Sequence, residues 1–199
     1  MKLDHLSFQG STVDDFTTFA KLPSEMRALL EQINGFVQFG GGLHIRGACV
    51  VPDWHSLAEV WFGSLALWKI YPVLRPDDVP FGQDAVGDQF IWREGVVHQL
   101  SAETGDLHPL DYSFLGFLEA AQSDPLEVLG LHPLLQFQNE GGQLQPGQLL
   151  SVYPPFCTKQ AASGVSLKAV PVADRIKFLG DFASQIVGLS DGVHIRLTV

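Results

Sequence analysis

Residues 79–100 read VPFGQDAVGDQFIWREGVVHQL and predict a β-hairpin that is entered through turns. Gln89 to Arg93 is rich in β-forming side chains, and Val96 to Leu100 is the returning strand. Between them, Glu94-Gly95 supplies the glycine that a two-residue connection needs at a positive φ angle. Turn chemistry also occurs before the hairpin, at Phe81-Gly82 and Val86-Gly87-Asp88.

The first strand of this hairpin carries large side chains on both of its faces. Phe90 and Trp92 fall on one face and Ile91 falls on the other, because side chains alternate along a strand. A strand that must be covered on both faces lies inside its sheet rather than at an edge. We therefore expect the hairpin at the centre of an antiparallel sheet.

Two helices are predicted on either side of the hairpin. Pro23 suits the first helical position, and apolar residues then repeat at helical spacing until Asn34-Gly35 ends the segment. Ser113 is suited to cap a second helix with a stripe that begins at Phe114 and ends at Ala121. The sequence thus predicts helices over 23–33 and 114–121, packed on the sheet.

The chain beyond this core has a pattern of its own. Residues 132–147 are rich in Gln, Gly and Pro and predict a long surface loop. Strands are predicted at 149–153, 165–170 and 193–199, with an amphipathic helix over 172–187. Since a piece this short has little core of its own, we expect its strands to join the main sheet.

The ordered set of motifs around the hairpin resembles the core of the SUKH superfamily, the Smi–Knr cell-wall regulator family. The motifs are Phe81-Gly-Gln-Asp, Gly87-Asp-Gln-Phe, Gly95-Val-Val-His and Ser113-Phe-Leu-Gly-Phe-Leu, preceded by a helix like that of Leu22 to Gly35. The resemblance covers about half of the chain, from Leu22 to Ala121.

The resemblance implies an α+β fold whose antiparallel, at most mixed, sheet is packed by helices. Together with the pattern of the C-terminal residues, this predicts one domain over 1–199, with a core at about 22–121 and a strand–helix–strand extension at about 148–199. Bacterial members of the family resemble immunity proteins that bind and neutralise toxins, often nucleases. Eukaryotic relatives regulate cell-wall synthesis and signalling through protein binding.

Composition narrows the classes of partner. The chain has 199 residues, 46% of them hydrophobic, and a formal net charge of −10. Such a charge argues against direct binding of nucleic acid, because phosphate contacts require Lys and Arg, but it permits a basic protein partner. No apolar run reaches the roughly 18 residues that a membrane helix needs.

The expected location is the cytoplasm. The N-terminal residues show no apolar stretch of a secretory signal. Cys49 and Cys157 form no disulfide framework, and they are interpreted as reduced thiols.

A catalytic set is not visible in the sequence. The chain lacks a nucleophile elbow and any close His or Cys pair that would begin a zinc site. His55 and Glu59 are four residues apart, but nothing nearby completes a set of ligands. We therefore predict that the protein is not an enzyme and binds no cofactor or metal.

Two groups of residues are candidates for binding a partner. The acidic group lies around the hairpin turns and would attract a basic partner if the turns met at one edge. The same carboxylates could instead form hydrogen bonds within the turns, bind Ca²⁺ or serve in acid–base chemistry. The aromatic group either packs in the core or forms part of a partner surface. The acidic group comprises Asp77, Asp78, Asp84, Asp88 and Glu94, and the aromatic group comprises Trp54, Trp61 and Trp68.

These observations lead to three functional hypotheses. The first is a cytoplasmic immunity-type protein that binds a toxin, and the second is a regulatory or scaffold module with an endogenous partner. The third is a small-ligand binder or enzyme whose pocket is lined by Trp54, Trp61 and Trp68.

Overall fold

The computed structural model describes residues 3–189 and residue 192. It confirms the predicted fold class, α+β with helices packed on an antiparallel sheet. The strand predicted at 193–199 lies outside the described residues.

Seven strands form one antiparallel sheet in which each strand pairs with its neighbours in sequence. The hairpin of residues 89–101 lies inside this order, at the fifth and sixth positions, as the two-faced pattern of its first strand predicted. The strands are β1 (Leu6–Gln9), β2 (Phe36–Gln38), β3 (Leu43–Ile45), β4 (Val79–Asp84), β5 (Gln89–Arg93), β6 (Val96–Ser101) and β7 (Asp106–Tyr112).

The hairpin register follows from its two-residue turn. Gln89 pairs with Leu100 and Arg93 pairs with Val96, so only Glu94 and Gly95 connect the strands. Both have positive φ angles, 51° and 90°, as this kind of turn requires.

Phe81-Gly82 is not a turn, contrary to the expectation from its glycine. Both residues lie inside β4, where the register against β5 shifts between Val79 and Gly82. A Cβ atom at position 82 would lie 3.0 Å from the carbonyl oxygen of His44, so glycine here permits close approach of β3.

Eight α-helices accompany the sheet in the described part of the chain. The two predicted core helices are confirmed, and Ser113 Oγ accepts a hydrogen bond from the Gly116 N–H at 3.1 Å. The helices are α1 (Phe16–Phe19), α2 (Ser24–Gln32), α3 (Leu57–Trp61), α4 (Leu67–Ile70), α5 (Phe114–Ser123), α6 (Pro125–Val128), α7 (His132–Asn139) and α8 (Val172–Ile186). Within residues 3–189, none of the helices is both long and apolar enough to cross a membrane.

Aromatic side chains join α5 to the sheet. Phe90 lies 4.5 Å from Phe117 between ring centroids, and Phe81 meets Phe114 edge-on at 5.1 Å. All four rings are buried and belong to the main core. The stripe predicted for residues 114–121 therefore packs on the face of β5 that carries Phe90.

The C-terminal extension differs from the prediction in two respects. Residues 132–147 are not all loop, because α7 fills the first half and buries Leu134. The strands β8 (Gln148–Tyr153) and β9 (Ser166–Pro171) form a separate two-stranded sheet rather than joining the main one.

The extension stays attached to the core without extending the sheet. The Leu150 N–H donates to the carbonyl oxygen of Ala85 at 2.7 Å, and Leu149, Ile176 and Leu179 are buried in the main core. The amphipathic stripe of α8 thus supplies the burial that we had expected from strand pairing.

Candidate functional site

The acidic residues of the hairpin do not meet at one edge. Asp84 and Asp88 flank the β4–β5 turn, whereas Glu94 lies in the β5–β6 turn at the opposite end of β5. Asp77 and Asp78 precede β4, whose first residue pairs with Trp92, so they lie toward the Glu94 end. The five carboxylates therefore form two groups with different surroundings.

Asp84 is the hydrogen-bond acceptor of the β4–β5 turn. Its Oδ1 accepts from the N–H groups of Val86, Gly87 and Asp88 at 2.9–3.0 Å, and the residue is buried. Burial, followed by the charge of Asp88, raises the pKa of Asp84 well above its ordinary value. These contacts match the turn chemistry that was one alternative for this residue.

Replacement of Asp84 by alanine should lower the free energy of unfolding by about 2 kcal/mol, because three backbone N–H groups lose their acceptor. Asparagine keeps one oxygen in place and should cost less than about 1 kcal/mol. Urea unfolding of both variants measures the difference. Equal stability of the alanine variant and the wild type would show that the carboxylate does not hold this turn.

Asp88 and the extension meet at the same turn. Asp88 accepts from the Ala102 N–H at 2.8 Å, and burial is the main cause that raises its pKa. Arg175 of α8 is buried and donates through Nε to the carbonyl oxygen of Val86 at 3.1 Å. Its charge is balanced in part by Glu103, at 3.8 Å from Nη2. This part of the predicted acidic surface is thus a contact inside the protein.

The second group contains one buried and two exposed carboxylates. Asp78 is buried and receives Arg93 through two hydrogen bonds of 2.6 and 2.8 Å. Glu94 pairs with Arg75 at 2.8 Å on the surface. Asp77 is exposed and forms no ion pair with the described residues. Of the predicted acidic residues, Asp77 and Glu94 are the two that a partner could reach.

The three predicted tryptophans do not line a common pocket. Trp54 is half-buried beside His44 and Gln83, in a narrow cavity of about 10 Å³. That volume is about enough for one water molecule. Trp68 donates its indole N–H to the carbonyl oxygen of Trp61 at 3.0 Å, which fixes α4 against α3. Trp61 is buried, but it also lies on the wall of a different, open groove.

This groove, here called the Trp61–Trp92 groove, is an open surface depression of about 470 Å³. Its walls come from the start of α2, the end of α3, the loop before β4 and the β4–β5 pair. The residues that line it are Lys21, Leu22, Pro23, Trp61, Phe62, Pro76, Asp77, Val79 and Trp92.

Aromatic contacts hold the groove in shape. The rings of Trp61 and Phe62 stack with centroids 4.4 Å apart, and Phe62 is 39% exposed. Trp61 Nε1 donates to the carbonyl oxygen of Pro76 at 3.0 Å, which ties α3 to the loop before β4. Lys21 Nζ lies 4.0 Å from the centre of the Phe62 ring. The aromatic surface that the groove exposes therefore comes from Phe62 and the half-buried Trp92, while the buried Trp61 supports it from behind.

The sequence identified only two of these lining residues, Trp61 and Asp77. Trp92 lies on the same face of β5 as Phe90, as the alternation of side chains predicted. Phe90 is fully buried, whereas Trp92 is only half-buried and therefore reaches the groove. The available signal was Trp61-Phe62 itself, two adjacent aromatic residues at a helix end. Adjacent residues on a helix point in different directions, so one of them is left toward solvent.

A buried polar chain was missed entirely by the sequence interpretation. It consists of Arg46, Gln83, His44, His55 and Asn34, all of which are buried. β3 supplies His44 and continues into Arg46, and the β3–β4 register places Gln83 opposite His44. Gln89 of β5 joins the same group through Gln83.

The hydrogen bonds of this chain run in one direction. His55 Nε2 lies 2.8 Å from the carbonyl oxygen of Asn34, which can only accept, so His55 carries its proton on Nε2. Its Nδ1 then accepts from His44 Nε2 at 2.9 Å. His44 Nδ1 accepts from Gln83 Nε2 at 3.2 Å, and Gln83 Oε1 accepts from Arg46 at 2.5 Å.

Burial keeps both histidines neutral. It lowers the pKa of His55 to about 4 and lowers the pKa of His44 well below its ordinary value, with the nearby His55 as a further cause. Burial also lowers the pKa of Arg46 to about 9, which still leaves the guanidinium charged at pH 7. The chain therefore holds one buried cation that is stabilised by neutral acceptors.

The cysteines and potential metal ligands are separate from both features. Burial raises the pKa of Cys49 to about 12 and that of Cys157 to about 11, so both free thiols are protonated at neutral pH. Among residues 3–189, no three His, Cys, Asp or Glu side chains come together in a way that could hold a metal ion.

Comparison with known proteins supports the fold alone. No family model matches the sequence, and no curated protein matches it. The fold is similar to the crystal structure of Atu4351 from Agrobacterium tumefaciens, with a TM-score of 0.53 over 89% of this chain and 84% of that chain. Because the two sequences are only 12% identical, the similarity is one of architecture.

Proposed function

We propose that this chain is a non-enzymatic, protein-binding module of the immunity type, which acts in the cytoplasm and neutralises a toxin by direct binding. The observation that carries the proposal is the Trp61–Trp92 groove. Tryptophan and other aromatic residues in preformed surface depressions are typical anchors of protein interfaces. The groove is open to solvent, whereas small-molecule sites enclose most of their ligand.

The charge of the chain favours a basic partner. A net charge of −10 creates a negative field that speeds the approach of a positively charged protein, such as a nuclease domain with Lys and Arg around its active site. The resemblance of residues 22–121 to the SUKH core points to the same class of partner. On this account, Asp77 at the groove is the carboxylate placed to contact the partner.

Co-expression tests this function. Each gene next to the one that encodes this chain would be expressed alone and together with it, and growth would be followed. The proposal expects one neighbour to arrest growth alone and to be harmless in the presence of this protein. It fails if none of the neighbours is toxic, or if this protein does not relieve the toxicity.

A further inference from the structure

A second apolar surface lies where α1 begins. Phe16 is 70% exposed, and Val50 and Val51 in the loop before α3 are 63% and 64% exposed. Single exposed hydrophobic side chains are common on proteins, but a group of large ones is typical of an interaction site. These three residues are here called the Phe16–Val51 surface.

Backbone contacts hold the two segments of this surface together. The Asp14 carboxylate accepts a hydrogen bond from the Val50 N–H at 2.8 Å, and the N–H groups of Asp14 and Asp15 donate to the carbonyl oxygen of Ala48 at 3.3 Å. Asp15 also caps α1 by accepting from the Thr18 N–H at 3.0 Å. The surface is therefore formed before a partner arrives, which lowers the entropy cost of binding.

Two helices connect the Phe16–Val51 surface to the Trp61–Trp92 groove. α1 begins at Phe16 and has four residues, so its ends are only about 6 Å apart, and the chain then reaches Lys21 in the groove. α3 follows the loop of Val50 and Val51 and ends at Trp61, beside Phe62. Lys21 Nζ lies 4.0 Å from the centre of the Phe62 ring, so the two segments meet again at the groove. One flat partner can therefore cover both features.

Charge identifies the chemistry of this partner. The segments that carry the surface, residues 10–20 and 47–56, contain Asp14, Asp15 and Asp53 but no Lys or Arg. Asp14 and Asp53 are exposed. Carboxylates around an apolar centre complement an apolar side chain that lies between Lys or Arg residues, and they oppose a second copy of the same surface.

We propose that the Phe16–Val51 surface is a second anchor of the partner interface and binds an apolar side chain flanked by Lys or Arg on a basic protein. This inference rests on the proposed protein-binding function and extends its interface beyond the groove. The same partner molecule covers Phe16, Val50 and Val51 at one end of α1 and Phe62 at the other.

Site-specific photo-crosslinking tests this arrangement. Phe16, Phe62 or Tyr153 is replaced, one at a time, by the aromatic photo-crosslinker p-benzoylphenylalanine. The full-length proteins are irradiated in a lysate of the cells that naturally produce this chain, and the products are identified by mass spectrometry. Positions 16 and 62 should both crosslink to one and the same basic protein. Position 153, which is exposed on the extension, should not.

Matched charge variants test the acidic rim. With the crosslinker at position 16, Asp53→Lys should lower the yield of the product about threefold or more, and added salt should reduce this effect. Asp181→Lys makes the same charge change at an exposed position of α8 and should leave the yield unchanged.

Several results would overturn the inference. They are the absence of a crosslink from position 16, different partners at positions 16 and 62, a product that contains two copies of this chain, or equal effects of the two lysine variants. The growth assay is decided separately. Protection from a toxin without a crosslink from position 16 would retain the immunity proposal and reject this anchor, whereas a shared basic partner without protection would have the opposite meaning.

Discussion

Replacement of Arg46 by alanine should lower the free energy of unfolding by about 4 kcal/mol, the largest effect that we expect from a single substitution. The guanidinium donates to the carbonyl oxygens of Pro80 and Gly82 at 2.7 and 3.2 Å, and to the amide oxygens of Gln83 and Gln89 at 2.5 and 2.6 Å. Alanine would remove a donor from each of four buried oxygens and would open a cavity.

Arg75→Ala is the matched control for this experiment. Arg75 also makes an ion pair, with Glu94, but both side chains are largely exposed. Exposed pairs contribute little, so this variant should lose about 0.5 kcal/mol or less. Urea unfolding at pH 7 measures both variants. Equal losses for Arg46→Ala and Arg75→Ala would contradict the view that the buried polar chain stabilises the centre of the sheet.

The second large effect is a loss of stability in acid that depends on His55. The pKa of His55 is about 4 in the folded protein and near 6.5 in the unfolded chain. Between these values the unfolded state binds a proton that the folded state does not, so stability falls as the pH falls. The contribution of His55 should decrease by about 3 kcal/mol across this range. His44 adds a loss of the same sign, because burial lowers its pKa as well.

The carboxylates of the β4–β5 turn have the opposite effect on stability in acid from that of His55. Burial raises the pKa of Asp84 and Asp88, so their protonation favours the folded state as the pH falls. For this reason, the wild type must be compared with His55→Gln in the same buffers. The stability difference between the two proteins should shrink by about 3 kcal/mol from pH 6.5 to pH 4. A difference that stays constant with pH would show that the pKa of His55 is not lowered in the folded protein.

The centre of the fold could be predicted from the sequence because its signals are local. Gly95 fixes the hairpin turn, the alternation of Phe90, Ile91 and Trp92 places β5 inside the sheet, and Ser113 marks the start of α5. The helix of residues 172–186 was also readable from its apolar stripe. The separate β8–β9 sheet was not, because strand residues alone do not say which strand they pair with.

The candidate site could be predicted only in part because it depends on long-range register. His44 and His55 are eleven residues apart and show no motif; they meet only because β3 and the short helical turn at Asp53–His55 lie side by side. The acidic residues are close together in the sequence, which suggested that they share one surface. In the fold, however, Asp84 and Glu94 lie at opposite ends of β5. Trp61-Phe62 is a local signal for the open groove, but only the fold brings the half-buried Trp92 and the loop before β4 beside this pair.

The central claim, that the Trp61–Trp92 groove is the surface through which this protein binds and neutralises its partner, is tested most directly by growth rescue. Cells that produce the toxic neighbour would receive the wild type, Phe62→Asp or Tyr153→Asp. Phe62 lies in the groove, and Tyr153 is an exposed aromatic residue of the extension, outside the groove. The two variants carry the same new charge, and urea unfolding verifies that each is folded.

A charge at a central aromatic position of an interface typically costs about 2–4 kcal/mol of binding, which is enough to lower affinity by a factor of roughly 100. The account therefore predicts that Tyr153→Asp rescues growth as well as the wild type does, whereas folded Phe62→Asp does not. Full rescue by Phe62→Asp, with loss of rescue by Tyr153→Asp, would contradict it and move the interface to the extension.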